Sequence, residues 1–311
     1  MFKKEKLRIA IIDSGYTKTY RELKNPIAEI INLRKDAQEE EDDQYGHGTA
    51  ITVLTDRLCS RIEFYIIKVL DRLGKCSSRH LLQALELAIS KDVDIINLSL
   101  GTRDMSMKNE FQVLCNKAYQ KDIVIVTTCE NEVTDCVPYI CDRTIKVRAN
   151  RCIKDNTFFY DNNVFYCKGV EHLLPWKDNT FIYSGSNSFS TPFIVKEIVD
   201  LRKEGYNREE IVLQLIEKSK QVAVPSYLFI EQEEYINERI YHSVEEVTEQ
   251  ILGKKLDKVR LSLQGMSDEI SIRILLELQN KLEKGIYFED FNYIDFEYVS
   301  NISHRLENAT F

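Results

Sequence analysis

Four apolar runs, Leu7 to Ile12, Glu63 to Leu70, Val93 to Leu100 and Ile123 to Thr128, constrain this chain more than any other feature. They are largely apolar on consecutive residues rather than on every second one, which fits strands buried on both faces. Helical patterns separate them. Ile51, Val53, Leu54 and Leu58 follow the first run. Leu81, Leu82, Leu85, Leu87 and Ile89, behind a cap at Ser77 or Ser78, follow the second, and Met107 to Gln120 follows the third. Strands alternating with helices of this length predict an α/β fold built on a doubly wound parallel sheet. In such sheets function gathers at the C-terminal ends of the strands.

Beyond Ile145-Lys146-Val147 the pattern shortens to strands at 157–160, 163–167 and 180–184. A helix then starts near Ser188 with Pro192 in its first turn and ends at Gly205; Asn207 with Glu210 opens another, running to about Lys220. Composition changes near Pro225. The organisation expected is a main domain over 1–224, a linker over 225–240 and a small all-α domain over 241–311. In that last domain Ser243 with Glu246 caps a first helix, a second runs from Asp268 to Lys284 and closes at Gly285, and a short third fits Tyr298 to Leu306.

A net charge of −8 over 311 residues argues against nucleic acid and anionic membranes as partners. Lys3, Lys4 and Lys6 resemble the start of a signal peptide, but Arg8 and Asp13 cut the apolar run short, and no window is apolar enough to span a membrane. The expected location is the cytoplasm, where the eight cysteines, all before residue 168, are reduced. Cys136, Cys141, Cys152 and Cys167 match no zinc finger or ribbon spacing, and no acidic stretch has a calcium-loop pattern, so neither metal nor other cofactor is expected. Residues 36–43, with Asp36, Glu39, Glu40, Glu41, Asp42 and Asp43, read as a solvated loop.

Three short motifs carry chemistry. Asp13-Ser14-Gly15 closes the first strand. His47 lies between two glycines in Gly46-His47-Gly48-Thr49, so it can approach another group closely. In Ser186-Asn187-Ser188-Phe189-Ser190-Thr191-Pro192 a serine stands where backbone N–H groups and the positive end of a helix are free, a place for an alkoxide-like nucleophile.

In this order, Asp then His then Ser, the chain resembles the subtilisin-like serine peptidases over about residues 7–220. Asn97-Leu98-Ser99-Leu100-Gly101 is similar to that family's substrate-binding strand, and Asn131, after Ile123 to Val126, stands where the family has its oxyanion asparagine. The resemblance implies that Ser188 attacks a peptide carbonyl and that His47 moves the proton. Asp13 orients His47, and Asn131 with the Ser188 N–H binds the oxyanion. Ser99, Leu100 and Gly101 would pair with the backbone of an extended substrate, a flexible peptide. Four positions depart from the family: Ser186 replaces a glycine, Glu130 replaces the glycine before the asparagine, and Phe193 and Ala50 replace histidines. Glu130 and Glu132 either border the pocket for the residue before the cut, favouring Lys or Arg there, or point into solvent. The family's secreted members begin with an inhibitory segment that this sequence has no room for before Leu7. That suggests an intracellular enzyme trimming a leader from a ribosomally made peptide.

The tail is similar to acyl or peptidyl carrier proteins, with Gly265-Met266 ahead of the second helix. That family attaches phosphopantetheine to a serine, but here Glu269 in Asp268-Glu269-Ile270 occupies its place, and Ser267 lies two residues earlier. The tail is then either a plain three-helix bundle or a module that docks a protein partner. The rival to an active peptidase is a catalytically impaired peptide-binding or scaffold protein of the same fold in a biosynthetic complex.

Overall fold

The computed structural model describes residues 6–34, 42–129, 135–150, 153, 157–168, 170–177, 180–220, 237–256, 261, 268–286, 296 and 298–308. The chain divides into two compact units, Met1–Ala223 and Val224–Phe311. Of the expected linker, 225–240, residues 225–236 lie outside the described residues, and Asn237 to Ile240 instead form the cap and the start of the first helix of the second unit.

The first unit is built on a central sheet. Its strands are β1 (Leu7–Asp13), β2 (Ile27–Asn32), β3 (Ile62–Lys68), β4 (Ile95–Leu98), β5 (Val124–Thr127), β6 (Thr144–Ala149), β7 (Phe158–Asp161) and β8 (Val164–Cys167), in spatial order β2-β3-β1-β4-β5-β6-β8-β7. Every pairing is parallel except that of β7 with β8. Helices α1 (His47–Leu58), α2 (Ser78–Ser90) and α3 (Lys108–Gln120) connect the early strands, and α4 (Thr191–Glu204) and α5 (Arg208–Ser219) follow β9 (Val170–Pro175) and β10 (Phe181–Gly185), an antiparallel hairpin. The edge strand β2 and strand β9 go beyond the sequence expectation.

Strand parity distributes the core. Ile9 and Ile11 of β1 join the cluster that packs α1, α4 and α5, whereas Ala10 and Ile12 join the cluster that packs α2 and α3. Successive side chains on a strand face opposite sides, so a strand buried by helices on both sides must be apolar throughout. Local signals set the helix ends. Ser77 accepts from the His80 N–H, and Asn207 and Glu210 form a complete capping box. Pro192 stands in the first turn of α4, and Gly205, at φ 102°, ends it.

The second unit packs α6 (Glu238–Leu252), α7 (Asp268–Leu282) and α8 (Val299–Asn308) around Val244, Ile274, Leu278, Ile302 and Leu306. Here the sequence expectation is corrected. Ser243 is not a cap: it lies inside α6 and donates to the Arg239 carbonyl, while Asn237 caps the helix by accepting from the Arg239 and Ile240 N–H groups. Asp268 and Glu269 begin α7, and Ser267 lies outside the described residues.

Candidate active site

Parity along β1 puts Asp13 on the side of Ile9 and Ile11, facing α1 and α4. The same rule puts Asn97 and Ser99, at and just past the end of β4, on that side, because Ile96 and Leu98 face the other way. Ile11 pairs with Asn97, so Asp13 and Ser99 lie level on neighbouring strands at the C-terminal edge of the sheet. Two apolar runs thus carry a carboxylate and a hydroxyl to one rim.

His47 is the first residue of α1. Its Nδ1 lies 2.8 and 2.9 Å from the two oxygens of Asp13, a carboxylate that is fully buried. The carboxylate can only accept, so it holds the proton on Nδ1 and leaves Nε2 as the basic nitrogen. The Asp13 carboxylate also accepts from the Ser14 N–H at 2.7 Å, and the Ser14 hydroxyl accepts from the Gly48 N–H at 2.8 Å, tying the strand end to the helix start. Helix and strand approach so closely that a Cβ on Gly48 would stand 2.4 Å from the Gly15 carbonyl oxygen. Glycine at 48 is therefore a steric requirement of the Asp13–His47 contact.

Asp43 corrects the reading of residues 36–43 as a solvated loop. It is 3% exposed and accepts from the N–H groups of Tyr45, Gly46 and Thr49 and from the Thr49 hydroxyl, at 3.1, 2.7, 2.9 and 2.7 Å. It satisfies the free amides at the start of α1, work that Gly46 cannot do with a side chain. Lys68, also buried, donates to the Asp42 carbonyl and supports the same loop. Burial pulls the His47 pKa down. The Asp13 charge, the Asp13 hydrogen bond and the Asp43 charge push it up, and the net result lies above the usual histidine value.

Ser188 lies in a one-turn 3-10 helix, Asn187–Ser190, leading into α4. Its neighbour Phe189 packs a ring 5.5 Å from the His47 ring, which brings the serine to the same rim. Among the described residues the Ser188 hydroxyl donates to the Ser99 carbonyl at 3.0 Å and makes no hydrogen bond to His47. The Ser99 hydroxyl accepts from Asn97 Nδ2, pairs with the Thr191 hydroxyl at 2.7 Å and donates to the Ser188 carbonyl at 3.3 Å. Asn187 accepts from the Ala149 N–H and donates to the Cys129 carbonyl, so it fastens the serine loop to the ends of β5 and β6. Asp43, Asn187, Thr191 and the aromatic residues around His47 escaped the sequence reading. Only the Asp43 spacing to Gly46 offered a signal, because capping carboxylates stand just ahead of helices.

Ser99, Leu100 and Gly101 lie past the end of β4 in irregular backbone, Leu100 half-buried and Gly101 exposed, and Thr102 makes an isolated antiparallel bridge with Val137. Glu130, Asn131 and Glu132 lie outside the described residues. Two of the four departures leave no mark on the backbone or packing: Ser186 adopts an extended conformation open to any residue, and Ala50 is buried in the core. Phe193 is buried against the His172 ring. Among the described residues no cluster of candidate ligands is grouped to hold a metal.

Residues 4–146 match the model of the Subtilase family. The chain is 30% identical over 135 residues, 40% of its own length, to the minor extracellular protease Epr of Bacillus subtilis, and 26% identical over 201 residues, 59% of its length, to a thermostable alkaline protease of Halalkalibacterium halodurans. Those matches span 20% and 55% of the two relatives. Among solved structures, a cold-adapted subtilisin-like serine proteinase superposes with TM-score 0.55 at 13% identity, covering 68% of this chain and 81% of the other. A lanthipeptide protease superposes with TM-score 0.59 at 17% identity, covering 70% and 81%. Both likenesses are of fold.

Proposed function

We propose that this chain, whose residues 4–146 match the Subtilase family, is a serine endopeptidase whose triad is Asp13, His47 and Ser188. The observation that carries this reading is the two-oxygen contact of buried Asp13 with His47 Nδ1, on the same rim as Ser188. Ser188 Oγ attacks the peptide carbonyl after rotating from the Ser99 carbonyl to His47 Nε2. His47 takes that proton and returns it to the leaving amine, and Asp13 stabilises the imidazolium between the two steps. Asn131 and the Ser188 N–H bind the oxyanion, and Ser99, Leu100 and Gly101 pair with the residues before the cut.

The substrate is a flexible peptide, and the finer role is removal of a leader from a ribosomally made peptide. A lanthipeptide protease with this fold lends that role its support. Cysteines buried in the core as single thiols, such as Cys59 and Cys167, favour a reducing compartment, the cytoplasm. Among the described residues no helix is long and apolar enough to cross a membrane. Glu130 and Glu132 give a preference for Lys or Arg before the cut. The helical unit docks a protein partner, for which Ile272 and Leu276 on one side of α7 are exposed.

Digestion of a random peptide library, read by mass spectrometry, tests the activity. Wild type is expected to cut at defined sites, and Ser188→Ala and His47→Ala to leave the library intact. Cutting that survives both substitutions refutes the triad. One observation favours the second reading, an impaired peptide-binding protein: the Ser188 hydroxyl is engaged by the Ser99 carbonyl. Binding of library peptides with no cutting by wild type would establish it.

A further inference from the structure

The sequence holds eight cysteines, and the proposed peptidase gives none of them a role. Two of them meet. Cys115, on α3, donates a hydrogen bond to the sulfur of Cys141, and both side chains lie buried in the apolar cluster that packs α2 and α3. The backbone beside the pair is tied as well. Gln112, one turn ahead of Cys115, accepts from the Asp142 N–H at 2.9 Å and donates to the Asp142 carbonyl at 3.5 Å. Cys141 ends a turn in which its own N–H donates to the Pro138 carbonyl and the Ile140 N–H donates to the Cys136 carbonyl. Asp142 and Arg143, the next residues, are exposed, so Cys141 lies one residue from the surface along the chain. The same segment carries Val137, which exchanges two backbone hydrogen bonds with Thr102.

The thiols differ in acidity. Burial pushes Cys59 up to about 12 and Cys76 up to about 11, and it pushes Cys167 up as well. Cys141 moves the other way. The hydrogen bond from Cys115 holds its thiolate against the effect of burial, with Lys108 and Lys146 adding to it, so its pKa lies below the ordinary thiol value. Cys115, the donor, is held up by the same bond and by burial. An acidic thiol in contact with a second one is the arrangement of an attacking and a resolving sulfur. We propose that Cys115 and Cys141 are a redox modification site, a dithiol that hydrogen peroxide closes to a disulfide between α3 and the 136–142 segment. The Cys141 thiolate attacks one peroxide oxygen, the O–O bond breaks, and hydroxide leaves and takes up the proton that Cys141 had released. Cys141 is then a sulfenic acid. The Cys115 sulfur attacks the Cys141 sulfur, its proton goes to the departing hydroxyl, and a second water leaves. The two thiols have lost two electrons and two protons, and one peroxide has become two waters. A reducing compartment keeps such a pair open, and the disulfides that do form there are transient ones that sense oxidant. This inference is independent of the peptidase reading.

The test exposes the reduced, folded full chain to stoichiometric hydrogen peroxide, quenches with catalase, and alkylates the remaining thiols after unfolding. Intact mass and peptide mapping then read each cysteine. Cys115 and Cys141 are expected to escape alkylation together, in one cross-linked peptide pair whose mass is lower by two hydrogens, and a thiol reductant should restore both. Cys76 is less buried than the other described cysteines, so it serves as the internal control and should still be alkylated. In Cys115→Ala the sulfenic acid of Cys141 has no resolving partner and is expected to be trapped by dimedone, whereas Cys141→Ala should leave Cys115 a thiol. The wild-type map decides the matter if either variant fails to fold. Oxidation of Cys76 ahead of the pair, a disulfide between any other two cysteines, or over-oxidation of Cys141 without a cross-link would each overturn the proposal.

Discussion

The Asp13–His47 half of the site and the Ser188 half differ in how they are held. The first is closed in the resting molecule: two oxygen contacts at 2.8 and 2.9 Å, a buried carboxylate, and a glycine contact at 48 that leaves no space for a methyl group. The second is anchored through Asn187 and Thr191, but its reactive hydroxyl points at the Ser99 carbonyl. The proposed acid–base pair is held by the packing of α1 on β1, whereas the hydroxyl of the proposed nucleophile is held by the Ser99 carbonyl. Rotation about χ1 between staggered wells is cheap beside rebuilding a buried ion pair. A peptide that pairs with Ser99 and claims its carbonyl would release the hydroxyl toward His47.

The comparison breaks most sharply at the closed half. Asp13→Asn leaves the shape and removes the charge, and should lower kcat by roughly 10³–10⁴-fold with little change in KM. A fall of only a few-fold would mean that His47 is not oriented by Asp13. Gly48→Ala should cost nearly as much, because a Cβ at 2.4 Å from the Gly15 carbonyl forces α1 from the strand. Overpacking of this kind also costs ~1–3 kcal/mol of stability, read as a lower Tm.

Asp43 sharpens the comparison through pH. General-base action needs neutral His47, and its pKa is raised above 6.5. The acid limb of kcat/KM is therefore expected above that value, with activity appearing as pH rises through it. The charged groups around the ring are Asp13 on β1 and Asp43 on the preceding loop, with Lys68 on β3 beneath that loop. Asp43→Asn removes one of the charges that raise the pKa, so the limb should move toward lower pH, while loss of part of its capping lowers kcat/KM by ~10-fold. A limb that stays in place would reduce Asp43 to a cap alone. The smallest effect belongs to the open half. Ser99→Ala deletes the contacts with Thr191 and the Ser188 carbonyl but keeps the Ser99 carbonyl, and should cost only ~3-fold in kcat/KM.

The parts of this fold legible in the sequence are those set by local rules. Double-sided burial makes β1, β3, β4 and β5 continuous apolar runs, and each motif of the proposed triad sits where a strand ends or a helix begins. Strand β2 was not legible because Glu29, half-buried and paired with Lys91, and Asn32 break its short apolar run at the edge of the sheet. Strand β9 hides because His172 and Glu171 interrupt its run. Ser243 with Glu246 looks like a cap, yet the apolar stripe of α6 already begins at Ile240, so Asn237 wins. Asp43 is lost in a run of acids, where its spacing ahead of Gly46 is the sole local mark of the carboxylate that packing buries. Thr191 and Asn187 act across 92 and 38 residues and Trp176 across 129, from 176 to 47, contacts that no local pattern encodes.

The most direct measurement of the central claim is the rate of labelling by a small fluorophosphonate as a function of pH. A serine activated by a base reacts quickly, and the phosphorus reagent needs no peptide subsite. Labelling is expected at Ser188 alone, rising with pH through the raised His47 pKa and disappearing in His47→Ala. Labelling at another residue, or at Ser188 with a rate that neither pH nor His47→Ala changes, would contradict the account.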